Sequence, residues 1–392
     1  MALRKARLAE FRELLASERI DVTKLGQLCF EGCPDEEGIR ATCWKLLLGY
    51  LPPTPGDWEK ALAEQRLFYV QLMSEVLVKP HAGEDATDVV DHPLNPNPES
   101  SWNRYFKDNE IIIQIDHDTR RLYPDMSFFQ LATPYPQAQF NTSALTDALK
   151  QRIDKRSLPS QQVATSRLGI KNMSSTAKKR FDPYSPLKEG DEAHWEVVER
   201  ILFLYAKTNK GIAYVQGMNE IIGPIYYVFA QHPDSKWREH AEADTFFCFT
   251  TLMTEIGALF TKKLDASRAG IGGAMGNLMK LIQREDPPLH AHLTGVGMDP
   301  TYFSFRWITL MLSQEFLLPE VIRIWDSLFA DEKRFNFLIY VCGAMILLIR
   351  TDLLKSDFSA CMKLLQNYPP MDTHKLLLTA QTLLAKCHLV LW

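Results

Sequence analysis

The chain has 392 residues, of which 46% are hydrophobic and 23% are charged. These are ordinary values for a globular protein, and the length allows one large domain or two medium ones with a sizeable core. The formal net charge of −4 lacks the strong basic excess that is typical of nucleic-acid-binding domains, so we expect no nucleic-acid partner.

The seven cysteines are odd in number, and most are isolated among apolar residues. This pattern predicts reduced, buried thiols in a cytosolic protein. Cys29 and Cys33 lie four positions apart, but no second pair follows at the spacing of a zinc site. We therefore expect no metal site.

Membrane signals are weak along the whole sequence. Charged residues interrupt the first 15 positions, which do not form the apolar core of a signal peptide. The longest apolar run, Phe335 to Ile349, is shorter than the roughly 20 residues that span a bilayer, and we predict a buried core helix there. Cys387 is not four positions from the end, so no prenyl anchor is expected.

The periodic segments are helical in character. Their apolar residues recur at steps of three and four, and neither alternating strands with hairpin turns nor a fixed-period repeat accompanies them. The glycine-rich run Gly270 to Gly276 follows no strand and indicates a flexible helix junction. The fold class predicted is therefore all-α. The clearest segments are Leu8, Phe11 and Leu15; Trp58, Leu62, Tyr69, Met73 and Val76, between Asp57 as cap and Pro80 as stop; Trp195, Val198, Leu202 and Tyr205; and Tyr302 to Phe329, with Pro319 as a break.

Two stretches depart from this helical pattern. Residues 80–100 are rich in proline, aspartate and asparagine, which predicts a loop. Residues 126–190 form a longer insertion of low periodicity, in which ten Lys/Arg oppose four acidic residues between Asn141 and Gly190. Such an insertion is either a solvated linker or a basic arm for an acidic membrane surface or partner.

The first of three short polar segments runs from Arg40 to Gly49. Arg40 and Trp44 are four positions apart and so share one helix face. By itself, the pair is typical of a core tryptophan with an arginine packed over it.

The second segment runs from Ile115 to Pro124. Asp118 and Arg121 are three positions apart, just before the chain break that Pro124 predicts. At the last turn of a helix, Arg121 could project beyond the helix while Asp118 orients a neighbouring cation. The alternative is an exposed ion pair, which contributes little stability.

The third segment runs from Tyr214 to Glu220. Gly217 permits a tight turn or a close backbone approach, and Gln216 and Asn219 place amide donors and acceptors on the loop. The alternative is a polar turn that caps the next helix.

In this order, the three segments resemble the RxxxW, IxxDxxR and YxQGMN signatures of the TBC domain, a family of GTPase-activating proteins for Rab GTPases. The resemblance covers residues 32–345 and includes three later segments: Ser304 to Trp307, Gln314 to Phe316 and Ile324 to Phe329. It implies a multi-helix TBC-type domain over 32–345 that contains a flexible insertion at 126–190. Residues 1–31 would be an N-terminal helical extension, and residues 346–392 would be C-terminal helices packed on the domain.

The resemblance also implies residue roles and partners. Arg121 would be an arginine finger and Gln216 a glutamine finger. The partner would be a GTP-bound Rab GTPase, which brings the GTP and Mg²⁺, so that this chain needs no cofactor and catalyses no reaction of its own. Such a role belongs to vesicle traffic, in the cytoplasm and peripherally on vesicle or endosomal membranes. The residues that would shape or support the site are Arg40, Trp44, Ile115, Asp118, Tyr214, Gly217 and Asn219.

Two features depart from the family pattern, and two other functions remain open. The family often has a small polar residue where Leu122 follows the arginine, and the insertion lengthens the gap between the finger segments. A catalytically silent Rab-binding scaffold and a helical adaptor are the alternatives. The sequence offers no GxxxxGK[ST] loop, GxSxG elbow or HExxH pair that would indicate another catalytic class.

Two structural expectations complete the hypothesis. Arg121 and Gln216 should face one concave surface within roughly 10 Å of each other, since both must reach one γ-phosphate and its water. Arg306, Trp307, Trp325 and Asp326 should be structural, with the arginine and the aspartate as a satisfied charge pair.

Overall fold

The computed structural model describes residues 2–76, 101–136, 187, 191–261, 270–333 and 335–389. Within these ranges the secondary structure is helical, apart from one isolated β-bridge. The predicted all-α fold is confirmed. The α-helices are α1 (Ala2–Leu15), α2 (Val22–Phe30), α3 (Ile39–Leu47), α4 (Trp58–Val76), α5 (Ser101–Thr119), α6 (His194–Thr208), α7 (Met218–Ala230), α8 (Ser235–Arg238), α9 (Ala241–Ile256), α10 (Ile271–Glu285), α11 (Pro287–Gly295), α12 (Ser304–Thr309), α13 (Leu318–Phe329), α14 (Asn336–Leu348), α15 (Arg350–Leu354), α16 (Phe358–Gln366) and α17 (Thr373–Leu389).

The helix boundaries follow local sequence signals. Asp21 caps α2 by accepting a hydrogen bond from the Lys24 amide at 3.0 Å. Pro319 lies in the first turn of α13, where its missing N–H has no helical partner to lose. The predicted break at Pro319 is therefore the start of a helix.

The helix α14 is apolar on nearly every side and packs against α10 and α17. Most of its residues are buried, which confirms the core helix predicted for this run. Among the described residues, no helix combines the length and apolar character needed to cross a bilayer.

Both ends of the chain join the central core. The α2 helix packs against α13, and the Ser327 hydroxyl donates to the Phe30 carbonyl at 2.6 Å. The C-terminal α17 packs against α14, and the boundary expected at residue 345 falls inside α14. The segments before residue 32 and after residue 345 thus share the core of the central domain.

The first part of the predicted insertion is packed rather than flexible. Residues Phe128–Gln130 form a short 3₁₀ helix, and both phenylalanines are buried. The Thr133 amide donates to the Glu192 carbonyl at 2.7 Å, which forms the bridge between Ala132 and Ala193. The expected start at residue 126 is wrong, because two aromatic side chains outweigh the polar composition around them. The loop expected at 80–100 and the insertion at 137–186 and 188–190 lie outside the described residues, and the mobility of the insertion stays a prediction.

The glycine-rich run after residue 269 is not a junction. The α10 helix begins at Ile271, and its buried residues include Ile271, Met275 and Leu278. The expectation of a flexible junction is wrong here because this apolar spacing anchors one face of the helix in the core.

Candidate functional site

The C-terminal end of α5 presents Arg121 to solvent. The helix stops at Thr119, and the Arg121 amide donates to the Asp118 carbonyl at 3.3 Å in the following turn. Arg121 is exposed, whereas Leu122 is fully buried beneath it. The turn therefore points one side chain outward and fixes the next one in the core.

A glycine on α7 makes this anchoring possible. A Cβ atom at Gly223 would lie 2.9 Å from the Tyr123 ring and 3.1 Å from Leu122 Cδ1. The absence of that atom lets the turn approach the helix closely. Leu122, which departs from the family pattern, thus has a packing role.

The second loop connects α6 to α7 and carries Gln216. Gln216 is exposed, and Gly217 behind it is buried with φ of +101°, a conformation that favours glycine. A Cβ atom at Gly217 would lie 2.7 Å from Leu310 Cδ2 at the end of α12. The loop is therefore seated against α12 with the Gln216 side chain on its outer side.

Asp118 joins the two loops. Its Oδ2 atom accepts a hydrogen bond from the Tyr214 hydroxyl at 2.7 Å, and its backbone carbonyl accepts one from the Asn219 side-chain Nδ2 at 3.1 Å. The side chain and the backbone of Asp118 thus bind the residues on both sides of Gln216. Arg121 follows three positions later, so the arginine and glutamine segments share one support.

The electrostatic environment keeps the Tyr214 hydroxyl protonated, so that it can donate to Asp118. Burial raises the pKa of Tyr214, and the neighbouring Asp118 carboxyl raises it further. Burial also raises the pKa of Asp118, although the Tyr214 hydrogen bond and the Arg121 charge act in the opposite direction. The Tyr214 hydroxyl stays protonated at neutral pH and holds its proton toward Asp118.

Two consecutive arginines occupy the turn, and the structure separates them. Arg120 is directed inward, where its Nε donates to both Asp116 oxygens at 2.8 and 2.9 Å and its guanidinium carbon lies 4.4 Å from the Trp195 ring centre. Arg121 is exposed. Of the two, Arg121 is the side chain presented at the surface.

The other predicted supporting residues lie in the core. Ile115 is fully buried on α5, one turn before Asp118. Arg40 and Trp44 on α3 both donate to Asp326 Oδ1, at 3.1 and 2.8 Å. Arg40 and Trp44 therefore tie α3 to α13, while Ile115 belongs to the buried core.

Asp326, Trp307 and Trp325 are fully buried, as expected of structural residues. The charge pair expected between Arg306 and Asp326 is wrong, because Asp326 pairs with Arg40 and Arg306 pairs with Glu315 at 2.6 Å. Arg40 and Asp326 are 286 positions apart in the sequence, and only the tertiary packing brings them together.

Sequence reasoning missed a cluster of thiols. The sulphur atoms of Cys29, Cys33 and Cys43 lie within 4.8 Å of one another, and all three residues are buried. Cys43 joins the pair because α3 packs against α2, which spacing does not reveal. Burial raises the pKa of Cys33 and Cys43, which favours protonated thiols there.

Comparisons with known proteins identify the family and the fold. The Rab-GTPase-TBC domain family matches residues 145–354, a range that includes Gln216 and begins after Arg121. The chain is 51% identical to TBC1 domain family member 13 of Homo sapiens over 400 aligned residues, which cover 97% of this chain and 98% of that protein. It is 24% identical to TBC1 domain family member 22B of Homo sapiens, with 93% of this chain and 58% of that protein covered.

Solved structures show the same fold. The Ypt/Rab-GAP domain of Gyp1p superposes with a TM-score of 0.69 at 21% identity, covering 98% of each chain. A flagellar RabGAP TBC domain from Chlamydomonas superposes with a TM-score of 0.54 at 16% identity, covering 97% of this chain and 90% of that one. The family match and the near-complete similarity to the human protein together show that this chain belongs to the Rab-GTPase-TBC domain family.

Proposed function

We propose that this protein accelerates GTP hydrolysis by a Rab-family GTPase, with Arg121 and Gln216 entering the nucleotide site of the partner. The observation that carries the proposal is the pair of exposed side chains on two loops that Asp118 holds together. Membership of a family whose relatives include Rab-GAP domains supports a GTP-bound Rab as the partner.

The residue types suit the reaction. GTP hydrolysis requires stabilisation of charge on the phosphoryl oxygens and a water molecule held in line with the bond that breaks. The guanidinium of Arg121 is always charged and presents a fixed fork of donors. An arginine supplied in this way accelerates hydrolysis by about 10³–10⁵, which corresponds to roughly 4–7 kcal/mol of barrier.

Gln216 would orient the attacking water. A carboxamide can accept a hydrogen bond from water and donate one to phosphate at the same time. Small GTPases normally use their own glutamine for this purpose, so the proposal assigns that task to Gln216. GTP and Mg²⁺ come with the partner, and the activator would act at vesicle or endosomal membranes that it contacts peripherally.

The test begins with a panel of GTP-loaded Rab GTPases, screened for accelerated phosphate release by the full chain. The responsive GTPase is then assayed with Arg121→Ala and Gln216→Ala, each of which should remove most of the acceleration. A panel that binds the protein without faster hydrolysis would instead identify a silent scaffold, and a panel without binding would identify an adaptor of another kind.

A variant of the partner GTPase distinguishes the role of Gln216 from that of the switch glutamine of the GTPase. The switch glutamine of the responsive GTPase is replaced by alanine, and acceleration by the wild-type activator is measured again. Appreciable acceleration should survive if Gln216 orients the water. Loss of acceleration with binding retained would assign the water to the glutamine of the partner and leave Gln216 a contact residue.

A further inference from the structure

The turn that carries Arg121 is fixed on its inner side by the residue before it. The Nε of Arg120 donates to both oxygens of Asp116, one helical turn earlier, and the guanidinium lies over the face of Trp195 on α6. These contacts link the last turn of α5 to a second helix. Most of the Arg120 side chain is buried, with 26% of it exposed.

A second contact holds the backbone of the same residue. The Gln130 side-chain amide donates to the Arg120 carbonyl at 3.1 Å. Gln130 belongs to the 3₁₀ helix Phe128–Gln130 and is itself buried. The side chain and the carbonyl of Arg120 are therefore held by three separate elements, α5, α6 and the 3₁₀ helix.

The charges around Arg120 favour this inward position. Asp116 is almost fully buried, and Glu199 on α6 is buried close by. Burial raises the pKa of Glu199, and the negative charge of Asp116 raises it further while Arg120 lowers it. A buried carboxylate needs a paired cation, and Arg120 supplies it to Asp116.

We propose that Arg120 is a positioning residue for GTPase activation, which fixes the turn so that Arg121 projects toward the partner, and does not touch the partner itself. This inference rests on the proposed function of Arg121. Its physical basis is that small displacements of a catalytic group have large effects, on the order of 100-fold in rate for about 1 Å. A loosened turn would leave binding of the GTPase intact and place the guanidinium of Arg121 incorrectly in the transition state.

The chain contains a matched control for this arginine. Arg66 on α4 also donates to both oxygens of a buried aspartate, Asp244, at 3.0 Å each, and its guanidinium carbon lies 5.7 Å from the Trp237 ring centre. Arg120→Lys and Arg66→Lys each keep the charge and lose the fork geometry. Both variants should lower the melting temperature to a similar degree, whereas only Arg120→Lys should slow the activated hydrolysis of GTP.

The experiment uses the full chain with the GTP-loaded Rab that responds most strongly in the panel. Arg120→Lys should lower the maximal rate of hydrolysis at least tenfold and change the half-saturating GTPase concentration less than threefold. Gln130→Ala, which leaves every charge in place, should lower the maximal rate by a smaller factor in the same direction. Arg66→Lys should leave both quantities within twofold of the wild type.

A double variant tests whether Arg120 acts through Arg121. If it does, Arg120→Lys combined with Arg121→Ala should be no slower than Arg121→Ala alone. Multiplied losses would show that Arg120 contacts the partner and would overturn the inference, as would an unchanged maximal rate in both Arg120→Lys and Gln130→Ala. An unchanged rate in Arg121→Ala would instead overturn the proposed function, so the two failures are distinct.

Discussion

The Asp118 carboxylate and the Tyr214 hydroxyl meet at 2.7 Å, although 96 positions separate them in the sequence. The bond joins the last turn of α5 to the loop before α7. Any shift of that helical turn, which Arg121 follows, must therefore break this bond or carry the glutamine loop with it. This contact therefore couples Arg121 and Gln216, the two side chains that we propose act on one phosphate.

Tyr214→Phe removes that coupling and keeps the ring. We expect the unfolding free energy to fall by about 1–2 kcal/mol, because the half-buried Asp118 carboxylate loses a donor. We also expect the maximal activation rate to fall by at least tenfold, since the glutamine loop loses one of its two hydrogen bonds to Asp118. Chemical denaturation and single-turnover GTP hydrolysis measure the two effects.

Tyr50→Phe is the control for this variant. Tyr50 donates to Asp244 at the same distance of 2.7 Å, in a buried network around α4 and α9. It should lower stability in a similar way and leave the activation rate unchanged. Equal rate losses in both variants would mean that general destabilisation, rather than the Asp118 contact, slows the reaction.

Arg121→Lys should fail to restore activation. Lysine keeps the positive charge but lacks the planar fork that can bind two phosphoryl oxygens, so we expect a rate close to that of Arg121→Ala. Because Arg121 is exposed, both variants should keep the unfolding free energy within about 0.5 kcal/mol of the wild type. A lysine variant with near-wild-type activation would show that a point charge suffices.

Gly217→Ala should damage the glutamine loop. The φ of +101° disfavours an alanine by about 1–2 kcal/mol, and the added methyl would lie 2.7 Å from Leu310 Cδ2. We expect lower stability and a lower activation rate, measured by thermal melting and phosphate release.

Gly49→Ala distinguishes backbone strain from the steric contact with Leu310. Gly49 has φ of +69°, but a Cβ atom there meets no atom within 4 Å apart from those of its own chain neighbours. Its variant should show the backbone strain alone and keep the activation rate. A loss of activation in Gly49→Ala would contradict the assignment of the effect to the site.

His194 predicts a pH dependence of stability. Burial lowers its pKa to about 4 from a usual value of 6.5, with Glu192 acting in the opposite direction. Below pH 6.5 the unfolded chain binds a proton that the folded chain resists, so the stability contribution is complete above 6.5 and is lost toward pH 4. The loss from this residue should be on the order of 3 kcal/mol.

The measurement compares denaturation of the wild type and His194→Asn between pH 7.5 and 4.5. Asparagine can accept from the Tyr226 hydroxyl, which lies 2.7 Å from His194 Nδ1, but it does not titrate in this range. The variant should be less stable at neutral pH, because the ring no longer stacks on Phe128. Its stability should nevertheless fall less steeply on acidification, and parallel curves would refute the assignment.

The sequence alone predicted those features that depend on neighbouring residues in the chain. The apolar spacing of α4 and α6 predicted both helices and their buried faces, and Pro319 marked a helix boundary. The segments around Arg121 and Gln216 indicated the family through their motif spacing. Each of these signals extends over fewer than about 20 residues, which is the range that helical periodicity and capping control.

The remaining features depend on contacts between distant segments. Arg120 and Arg121 are chemically identical in the sequence, and only the position of Trp195 on α6 makes one of them structural. The pairing of Arg40 with Asp326 and the folding of residues 128–133 onto Glu192 and His194 likewise require the tertiary arrangement. Composition misassigned the latter segment because two buried phenylalanines outweigh its many polar neighbours.

The bridge between Ala132 and Ala193 holds the residues before and after the long intervening segment side by side. With both ends held side by side, the entropy of closing the intervening segment grows only with the logarithm of its length, and a doubling costs about 0.6 kcal/mol. The length of that segment can therefore change with little effect on the stability of the helical domain. A reporter domain inserted into the same segment should therefore leave the described helices, and with them the positions of Arg121 and Gln216, unchanged.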